Sequence, residues 1–260
     1  MCELNNILNN NDNKNSIIIV FANNDYLPVL NNWMNAIKRL DIKNYLIIAL
    51  DEKLHNELSE RNIPAIIREC NIKTENLWIH RIMVIQEILE HGIHVLHSDA
   101  DAVWFKNPLN GYIHNGNFDM IFSQGTIWPR EIYHKWGFVL CCGLFYVKSN
   151  TATLKFFDEL KIRVEIDKDD QISINKLLDD NLINWEMKDG YNLSYNNNIF
   201  RCFNDVITGT TSDMKIALLP HSKFQRVRDS GDDVYIKHII SEKNTMSIMQ
   251  VLEENDCIFS

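Results

Sequence analysis

The chain lacks the excess of positive charge that nucleic-acid binding and membrane-surface binding require. Its 26 Lys and Arg residues stand against 35 Asp and Glu residues, which gives a formal net charge of −9. Such a balance offers no basic field to a phosphate backbone or an anionic bilayer. We therefore expect no nucleic-acid partner. An anionic ligand must be met locally, by a metal ion or by a few placed Lys and Arg side chains.

Long apolar runs and paired cysteine spacings are also missing. No stretch approaches the roughly 20 apolar residues that span a bilayer, and the N-terminus shows no charged-then-apolar signal pattern. We therefore expect no membrane span. The six cysteines form no C-x-x-C motif, and the adjacent Cys141 and Cys142 suit a disulfide framework poorly. Reduced thiols predict a cytoplasmic protein, or one delivered into a host cell if the source is bacterial or viral.

The chain divides into a short polar start and one long region of alternating patterns. Residues 1–15 are rich in Asn and carry too little apolar content to pack, so we expect a flexible lead-in. We expect residues 16–260 to form a single domain. Apolar patterns predict strands at 17–22, 45–50, 65–67 and 94–98, with helices between them and Gly92 as a helix C-terminal cap. This alternation favours an α/β fold with a mostly parallel sheet covered by helices on both faces.

Two aspartates, Asp99 and Asp101, follow the fourth predicted strand in "IHVLHSDADAVWFKNPL". Parallel sheets bind ligands at the carboxyl ends of their strands. Side chains two apart on an extended segment point to the same side, so these two carboxylates can converge on one object. Because converging carboxylates repel each other without a cation, and hard oxygen ligands select Mg²⁺ or Mn²⁺, the pattern indicates a divalent-metal site. The alternative is a D-x-D that only caps a turn.

The segment around the two aspartates resembles a family signature. "VLHSDADAVWFKNP" is similar to nucleotide-diphospho-sugar transferases related to glycosyltransferase family 77, which have a GT-A fold and carry D-x-D on this segment. "HRIMVIQEILEHGIHVL", "CCGLFYVKSN" and "DDQISINKLL" resemble further family segments. The resemblance extends loosely over most of the chain after residue 15. It implies a retaining glycosyltransferase that moves a sugar from a UDP-sugar donor to a protein or glycan acceptor.

The resemblance also implies a cofactor and its ligands. His238, in "YIKHII", stands where the family has a late histidine that completes the metal site with Asp99 and Asp101. His221, in "LLPHSKF", is the competing ligand. The implied cofactor is Mn²⁺, or Mg²⁺, which neutralises the charge that develops on the β-phosphate of the departing nucleotide.

The catalytic and donor-binding candidates follow from the same resemblance. Asp170 and Gln171 are the implied catalytic residues, although Asp169 and Asp170 also suit a helix N-terminus. The turn after the first strand offers backbone groups and a tyrosine ring to a nucleoside, or it only caps the next helix. Asp51 is a ribose contact or a helix cap. The donor-binding candidates are Ala22, Asn23, Tyr26, Arg81, Ser98, Asp99, Gly143 and Lys243.

The sequence is also compatible with two other function classes. "DADAV" also fits the nucleophile motif of haloacid-dehalogenase-like phosphatases with Asp99 as nucleophile, although three predicted strands precede it where that motif ends the first strand. A non-catalytic nucleotide-sugar-binding module is the other alternative.

Residues 127–138, "IWPREIYHKWGF", are expected to form an aromatic loop that presents stacking faces to an acceptor, or one that Trp128 and Trp136 anchor on the core.

Overall fold

The computed structural model describes residues 16–71, 77–231, 233–241 and 244–259. The predicted lead-in, residues 1–15, and the donor-binding candidate Lys243 lie outside the described residues. The strands are β1 (Ser16–Ala22), β2 (Tyr45–Ala49), β3 (Ala65–Ile67), β4 (His94–Ser98), β5 (Val103–Trp104), β6 (Met120–Gln124), β7 (Leu140–Val147), β8 (Asn184–Glu186), β9 (Gly190–Tyr195), β10 (Asn198–Phe203), β11 (Ile207–Thr210), β12 (Lys215–Leu218), β13 (Phe224–Gln225) and β14 (Ile236–Lys237). The helices are α1 (Leu27–Arg39), α2 (Glu52–Glu60), α3 (Leu77–Glu90), α4 (Arg130–Trp136), α5 (Thr151–Asp167), α6 (Asp170–Asp180) and α7 (Thr245–Glu254).

The centre of the fold is a nine-stranded sheet with the order β3-β2-β1-β4-β7-β6-β12-β11-β8. Strands β3, β2, β1 and β4 run parallel, and β7 lies antiparallel between β4 and β6. Strand β12 is parallel to β6, whereas β11 is antiparallel to both β12 and β8. The mostly parallel α/β sheet predicted from the sequence is therefore confirmed. The first four strands lie where their apolar runs predicted them.

Alternating side chains of the central strands fill a core on each face of the sheet. On one face, Ile17 and Ile19 of β1 pack with buried residues of α3, such as Ile82 and Ile85. Ile18 and Val20 point the other way and pack with α1, where Trp33 is fully buried. Because β1 and its parallel neighbour β2 are covered on both faces, their sequences are largely apolar. Gly92 follows α3 with a φ of 77°, which confirms the predicted C-terminal cap.

Two smaller sheets lie beside the large one. Strand β14 pairs in parallel with β13 and antiparallel with β5, and β9 pairs with β10 as a hairpin. The pairing of β14 with β5 joins a late segment of the chain to the segment just after the two aspartates. Among the described residues, no helix is long and apolar enough to cross a membrane.

The prediction that residues 127–138 form only a loop was wrong, because α4 occupies most of that segment. Ile132 and Trp136, one helical turn apart, are both buried in the core. Gly137 takes the left-handed conformation, with a φ of 81°, and its N–H donates to the Tyr133 carbonyl oxygen at 2.8 Å, which ends the helix. Trp136 therefore anchors the segment, whereas Trp128 is 55% exposed.

Candidate metal and donor site

Asp99 and Asp101 lie at the carboxyl end of β4, between β1 and β7 in the sheet. The Asp99 N–H donates to the Gly143 carbonyl oxygen at 2.7 Å, and the Ala102 N–H donates to the Asp99 carbonyl oxygen at 3.1 Å. These bonds turn the chain while keeping Asp99 attached to β7. The Asp99 and Asp101 side chains are 35% and 20% exposed. Both carboxylates are therefore accessible from the edge of the sheet where a ligand of a parallel α/β fold binds.

His238 reaches the two carboxylates from β14. Because Ile236 pairs with Trp104 of β5, the chain after β14 passes over the D-x-D turn. The His238 Nε2 atom is 3.3 Å from Asp101 Oδ1 and 3.7 Å from Asp99 Oδ2. One potential ligand atom from each of the three residues lies within 4.8 Å of the others. The structure thus brings together the three residues that the sequence implied as metal ligands.

Gly143 on β7 leaves the space that these side chains occupy. A Cβ atom at this position would lie 2.5 Å from Asp99 Oδ2 and 2.9 Å from His238 Nδ1, and it would overlap His238 Cε1. Glycine is therefore required here for close approach. Two carboxylates and an imidazole around such a space are donors that suit Mn²⁺, and the carboxylates also suit Mg²⁺. The residues present therefore fit a divalent ion.

The site also sets the protonation of His238 and its neighbour Cys141. Burial and Arg226 oppose protonation of His238, but the Asp101 carboxylate outweighs them and raises the pKa of His238 to about 9. The Cys141 Sγ atom is 3.8 Å from His238 Nδ1 and accepts from the Gly143 N–H at 3.4 Å. Burial opposes ionisation of Cys141, yet the contact with His238 lowers the pKa of this thiol to about 7. Without a cation, the cluster therefore favours a protonated imidazole between carboxylates.

Arg81 of α3 connects Asp99 to Asp170 at the start of α6. Its Nη1 donates to Asp99 Oδ1 at 3.1 Å, its Nε donates to Asp170 Oδ2 at 2.7 Å, and its Nη2 also bonds that oxygen. Arg81 and Asp170 are only 4% and 2% exposed. The guanidinium is thus buried and bonded to the Asp99 and Asp170 carboxylates, and its contact with donor phosphates stays a prediction.

The same network shifts the pKa values of both carboxyl groups. Partial burial favours the neutral acid at Asp99, but the hydrogen bond from His97 and the nearby Arg81 hold the pKa of Asp99 well below its usual range. Burial raises the pKa of Asp170 to about 6, although Arg81 opposes this rise. Asp99 therefore stays ionised over the whole physiological range, as a metal ligand must be.

His97, which the sequence analysis did not select, is part of this network. It is fully buried on β4, and its Nε2 lies 3.0 Å from both Asp99 Oδ1 and Arg81 Nη1. Burial and Arg81 lower the pKa of His97 to about 4, so the ring is neutral at physiological pH. Its signal in the sequence is its position two residues before Asp99, which places both side chains on one face of the strand.

Gln171 and Trp128 border the other side of the Arg81 network. The Gln171 Oε1 atom accepts from the Cys142 N–H at 3.3 Å, and its Nε2 donates to the Trp128 carbonyl oxygen at 2.9 Å. The Trp128 ring is exposed, and the Arg130 guanidinium lies 5.0 Å from its centroid. Gln171 of the predicted catalytic pair thus contacts the backbone of a residue whose aromatic side chain is exposed.

The turn after β1 shares the edge of the sheet with the D-x-D. Burial raises the pKa of Tyr26 to about 12, with further contributions from the charges of Asp101 and Asp99, so this tyrosine lies near both carboxylates. Asn23 accepts from the Tyr26 N–H at 3.3 Å as a cap, and the Ala22 carbonyl oxygen accepts from the Leu50 N–H at 2.9 Å. Part of the predicted nucleoside-binding turn is therefore used in local structure.

Three other candidates use their side chains in packing, capping or backbone contacts, and the Ser98 hydroxyl also donates to the Asp99 carbonyl oxygen at 3.1 Å. The Ser98 hydroxyl is fully buried and accepts from the indole N–H groups of Trp33 and Trp104, each at 3.1 Å. The Asp51 carboxylate accepts from the Asn24 and Leu54 N–H groups, both at 2.8 Å, so it is a helix cap. His221 Nε2 accepts from the Arg226 and Val227 N–H groups at 3.1 and 3.3 Å. His238, and not His221, is therefore the histidine that lies against Asp99 and Asp101.

A solved structure with the same architecture defines the class of this fold. The galactosyltransferase LgtC, determined in complex with donor and acceptor sugar analogs, matches with a TM-score of 0.55 and 11% identity. The match covers 94% of this chain and 96% of that chain. Together with the sheet order and the acidic cluster at the strand ends, this likeness shows a GT-A fold.

The family is shown by the sequence itself. The chain belongs to the nucleotide-diphospho-sugar transferase family, whose profile matches residues 40–254. It is 24% identical over 163 residues to arabinosyltransferase XEG113 of Arabidopsis thaliana, a match that covers 56% of this chain and 25% of that protein. It is 29% identical over 175 residues to UDP-D-xylose:L-fucose alpha-1,3-D-xylosyltransferase MGP4 of the same plant, covering 57% of this chain and 48% of that protein. The chain thus spans less than half the length of these relatives.

Proposed function

We propose that this protein is a metal-dependent retaining glycosyltransferase that transfers a sugar from a UDP-sugar to a protein or glycan acceptor. The observation that carries the proposal is the convergence of Asp99, Asp101 and His238 at the ligand edge of a GT-A fold. When bound there, Mn²⁺ or Mg²⁺ would supply the positive charge that stabilises a departing nucleoside diphosphate. The chain's own residues hold that position, and Gly143 keeps it open.

The donor side of the proposal rests on the first and fourth strands. Because β1 and β4 are parallel neighbours, the turn at Asn23–Tyr26 and the D-x-D meet at one edge of the sheet. In our proposal the backbone of this turn and the Tyr26 ring contact the nucleoside, while Asp99 and Asp101 face the diphosphate. Two curated relatives, MGP4 and a galactosyltransferase of Dictyostelium discoideum, are named for UDP-sugar donors, which supports UDP here.

The sugar and acceptor side of the proposal rests on α6 and on the segment before α4. Asp170 and Gln171 lie across Arg81 from the metal ligands, and Gln171 contacts the backbone of Trp128. We place the donor sugar next to Asp170 and the acceptor next to Gln171, with Trp128 as a stacking face. Both of these relatives, MGP4 and the Dictyostelium discoideum galactosyltransferase, are also named for fucose or fucoside acceptors, so fucose and fucosides belong in an acceptor panel.

The proposal is tested by incubating the protein with UDP-galactose, UDP-glucose, UDP-xylose and UDP-arabinose, with Mn²⁺ or with EDTA. We expect hydrolysis or transfer of one sugar that requires the ion and that Asp101→Asn abolishes. The product should keep the anomeric configuration of the donor. Inversion would contradict the retaining assignment, and tight UDP-sugar binding without any turnover would identify a non-catalytic binding module instead.

The position and contacts of Asp99 argue against the phosphatase alternative. Asp99 follows the fourth strand in chain order, in a chain of the nucleotide-diphospho-sugar transferase family, and the Asp99 Oδ1 atom is held by Arg81 and His97. A cytoplasmic location remains a proposal that rests on the buried thiols, such as Cys141 and Cys142, which form no disulfide.

A further inference from the structure

The two oxygens of the Asp99 carboxylate have different surroundings. Oδ1 lies 3.1 Å from Arg81 Nη1 and 3.0 Å from His97 Nε2. Oδ2 lies 3.7 Å from His238 Nε2 and faces the space above Gly143. One oxygen is therefore bound to the protein interior, and the other faces the proposed metal position.

The surroundings of the two ring nitrogens determine which of them carries the hydrogen in neutral His97. Nδ1 is buried and has no hydrogen-bond partner among the described residues. A hydrogen on Nδ1 would be a buried donor without an acceptor, which costs more than an unused lone pair. A hydrogen on Nε2 instead donates to Asp99 Oδ1, and Arg81 Nη1 donates to the same oxygen. The neutral Nε2–H tautomer thus gives the His97 hydrogen and one Arg81 Nη1 hydrogen a common acceptor, Asp99 Oδ1.

Packing fixes the ring that carries this hydrogen. His97 is fully buried, with ring centroids 5.7 Å from Phe21 and 5.2 Å from Phe145. A ring held between two aromatic side chains keeps its rotamer, so its N–H bond points in one direction. The strand thus supplies a rigid donor two residues before the carboxylate that it holds.

We propose that His97 is a positioning residue that, together with Arg81, restricts Asp99 to binding the metal through a single oxygen. The inference rests on the proposed metal-dependent function. Without the donor on His97, the Asp99 carboxylate could rotate and offer both oxygens to the ion. Outer partners of metal ligands typically change metal affinity by about 10- to 100-fold when they are removed.

The decisive variant is His97→Phe, which keeps a ring between Phe21 and Phe145 but removes the donor. We expect the dissociation constant for Mn²⁺, measured with UDP present, to rise about tenfold or more. We also expect lower water-proton relaxation by the bound Mn²⁺, because a second Asp99 oxygen would displace a coordinated water. His97→Gln retains an N–H donor and should recover a large part of the affinity.

The matched control is His94→Phe, a histidine at the other end of the same strand, which should leave Mn²⁺ binding unchanged. Melting temperatures in EDTA report on folding, and if His97→Phe melts far below the wild type, His97→Met replaces it as the variant without a donor. If the wild type binds Mn²⁺ and these variants bind it equally well, the role of His97 is refuted while the proposed function stands. If the wild type binds no Mn²⁺ with UDP, the metal assignment and the role of His97 both fail.

Discussion

Replacing Gly143 with alanine is the smallest change that should disable the site. The added Cβ atom would overlap His238 Cε1 and would lie 2.5 Å from Asp99 Oδ2, whereas real Cβ contacts are rarely closer than 3.0 Å. At least one of the two side chains must therefore move. Both are proposed metal ligands, so the substitution acts on the ligands without removing either of them.

The size of the effect depends on how easily His238 and Asp99 can yield. The His238 N–H donates to the Gln225 carbonyl oxygen at 2.8 Å, and its own carbonyl oxygen accepts from Arg226 Nη1 at 2.6 Å. Asp99 is held by Arg81 and His97. Because both residues are held by hydrogen bonds, we expect the strain to lower the free energy of unfolding by about 1–3 kcal/mol. Displaced ligands should cost at least about tenfold in Mn²⁺ affinity.

The assay compares Gly143→Ala with Gly111→Ala by calorimetric titration of Mn²⁺ with UDP and by thermal unfolding in EDTA. Gly111 is the matched control, because its added Cβ would meet only the Tyr235 hydroxyl, at 3.7 Å. We expect Gly111→Ala to bind Mn²⁺ normally. Wild-type Mn²⁺ affinity in Gly143→Ala would refute the reasoning that the missing side chain makes room for the ligands.

Further predictions concern single groups. Asp101→Ala should greatly weaken metal-dependent UDP binding in calorimetry, and unchanged binding would contradict its role as a ligand. In metal-free protein, folding raises the pKa of His238 from 6.5 to about 9, so the stability contributed by the protonated ring should be fully present below pH 6.5 and lost as the pH rises through about 9. The difference in unfolding free energy between the wild type and His238→Gln should therefore shrink by up to about 3 kcal/mol across that range. A difference that stays constant with pH would show that the folded protein does not stabilise the protonated His238 ring. Trp128→Ala should lower acceptor-dependent transfer while leaving UDP-sugar hydrolysis and the melting temperature nearly unchanged, and equal loss of both activities would remove Trp128 from the acceptor side. Denatured protein purified without reductant should show six titratable thiols, whereas stable disulfides would argue for the secretory pathway.

The first half of the fold follows from local patterns in the sequence. Apolar runs identify β1 to β4, and apolar spacing with Gly92 identifies α3 and its end. Because a parallel sheet directs its strand ends to one edge, the place of Asp99 and Asp101 could be deduced before the structure. The proposed ligand His238 was suggested by resemblance alone, since the β5–β14 pairing that brings it to the site joins residues far apart in the chain.

The electrostatic network could not be deduced in the same way. Arg81 has the appearance of an exposed helix cation or a phosphate contact until Asp170, 89 positions later, is placed beside it. Helix α4 was missed because Pro129 and the surrounding aromatic residues are typical of a loop. Its two core-facing positions, Ile132 and Trp136, are too few to give a clear helical period.

The bridge formed by Arg81 has a thermodynamic consequence. The proposed metal side of the site, through Asp99, and the proposed sugar side, through Asp170, share the Arg81 guanidinium. A ligand that draws Asp170 away from Arg81 changes how firmly Arg81 holds Asp99, so the two sides are coupled. Such coupling is reciprocal for binding free energies. If both ligands bind as proposed, the factor by which the ion raises the affinity for the sugar equals the factor by which the sugar raises the affinity for the ion, whichever is added first.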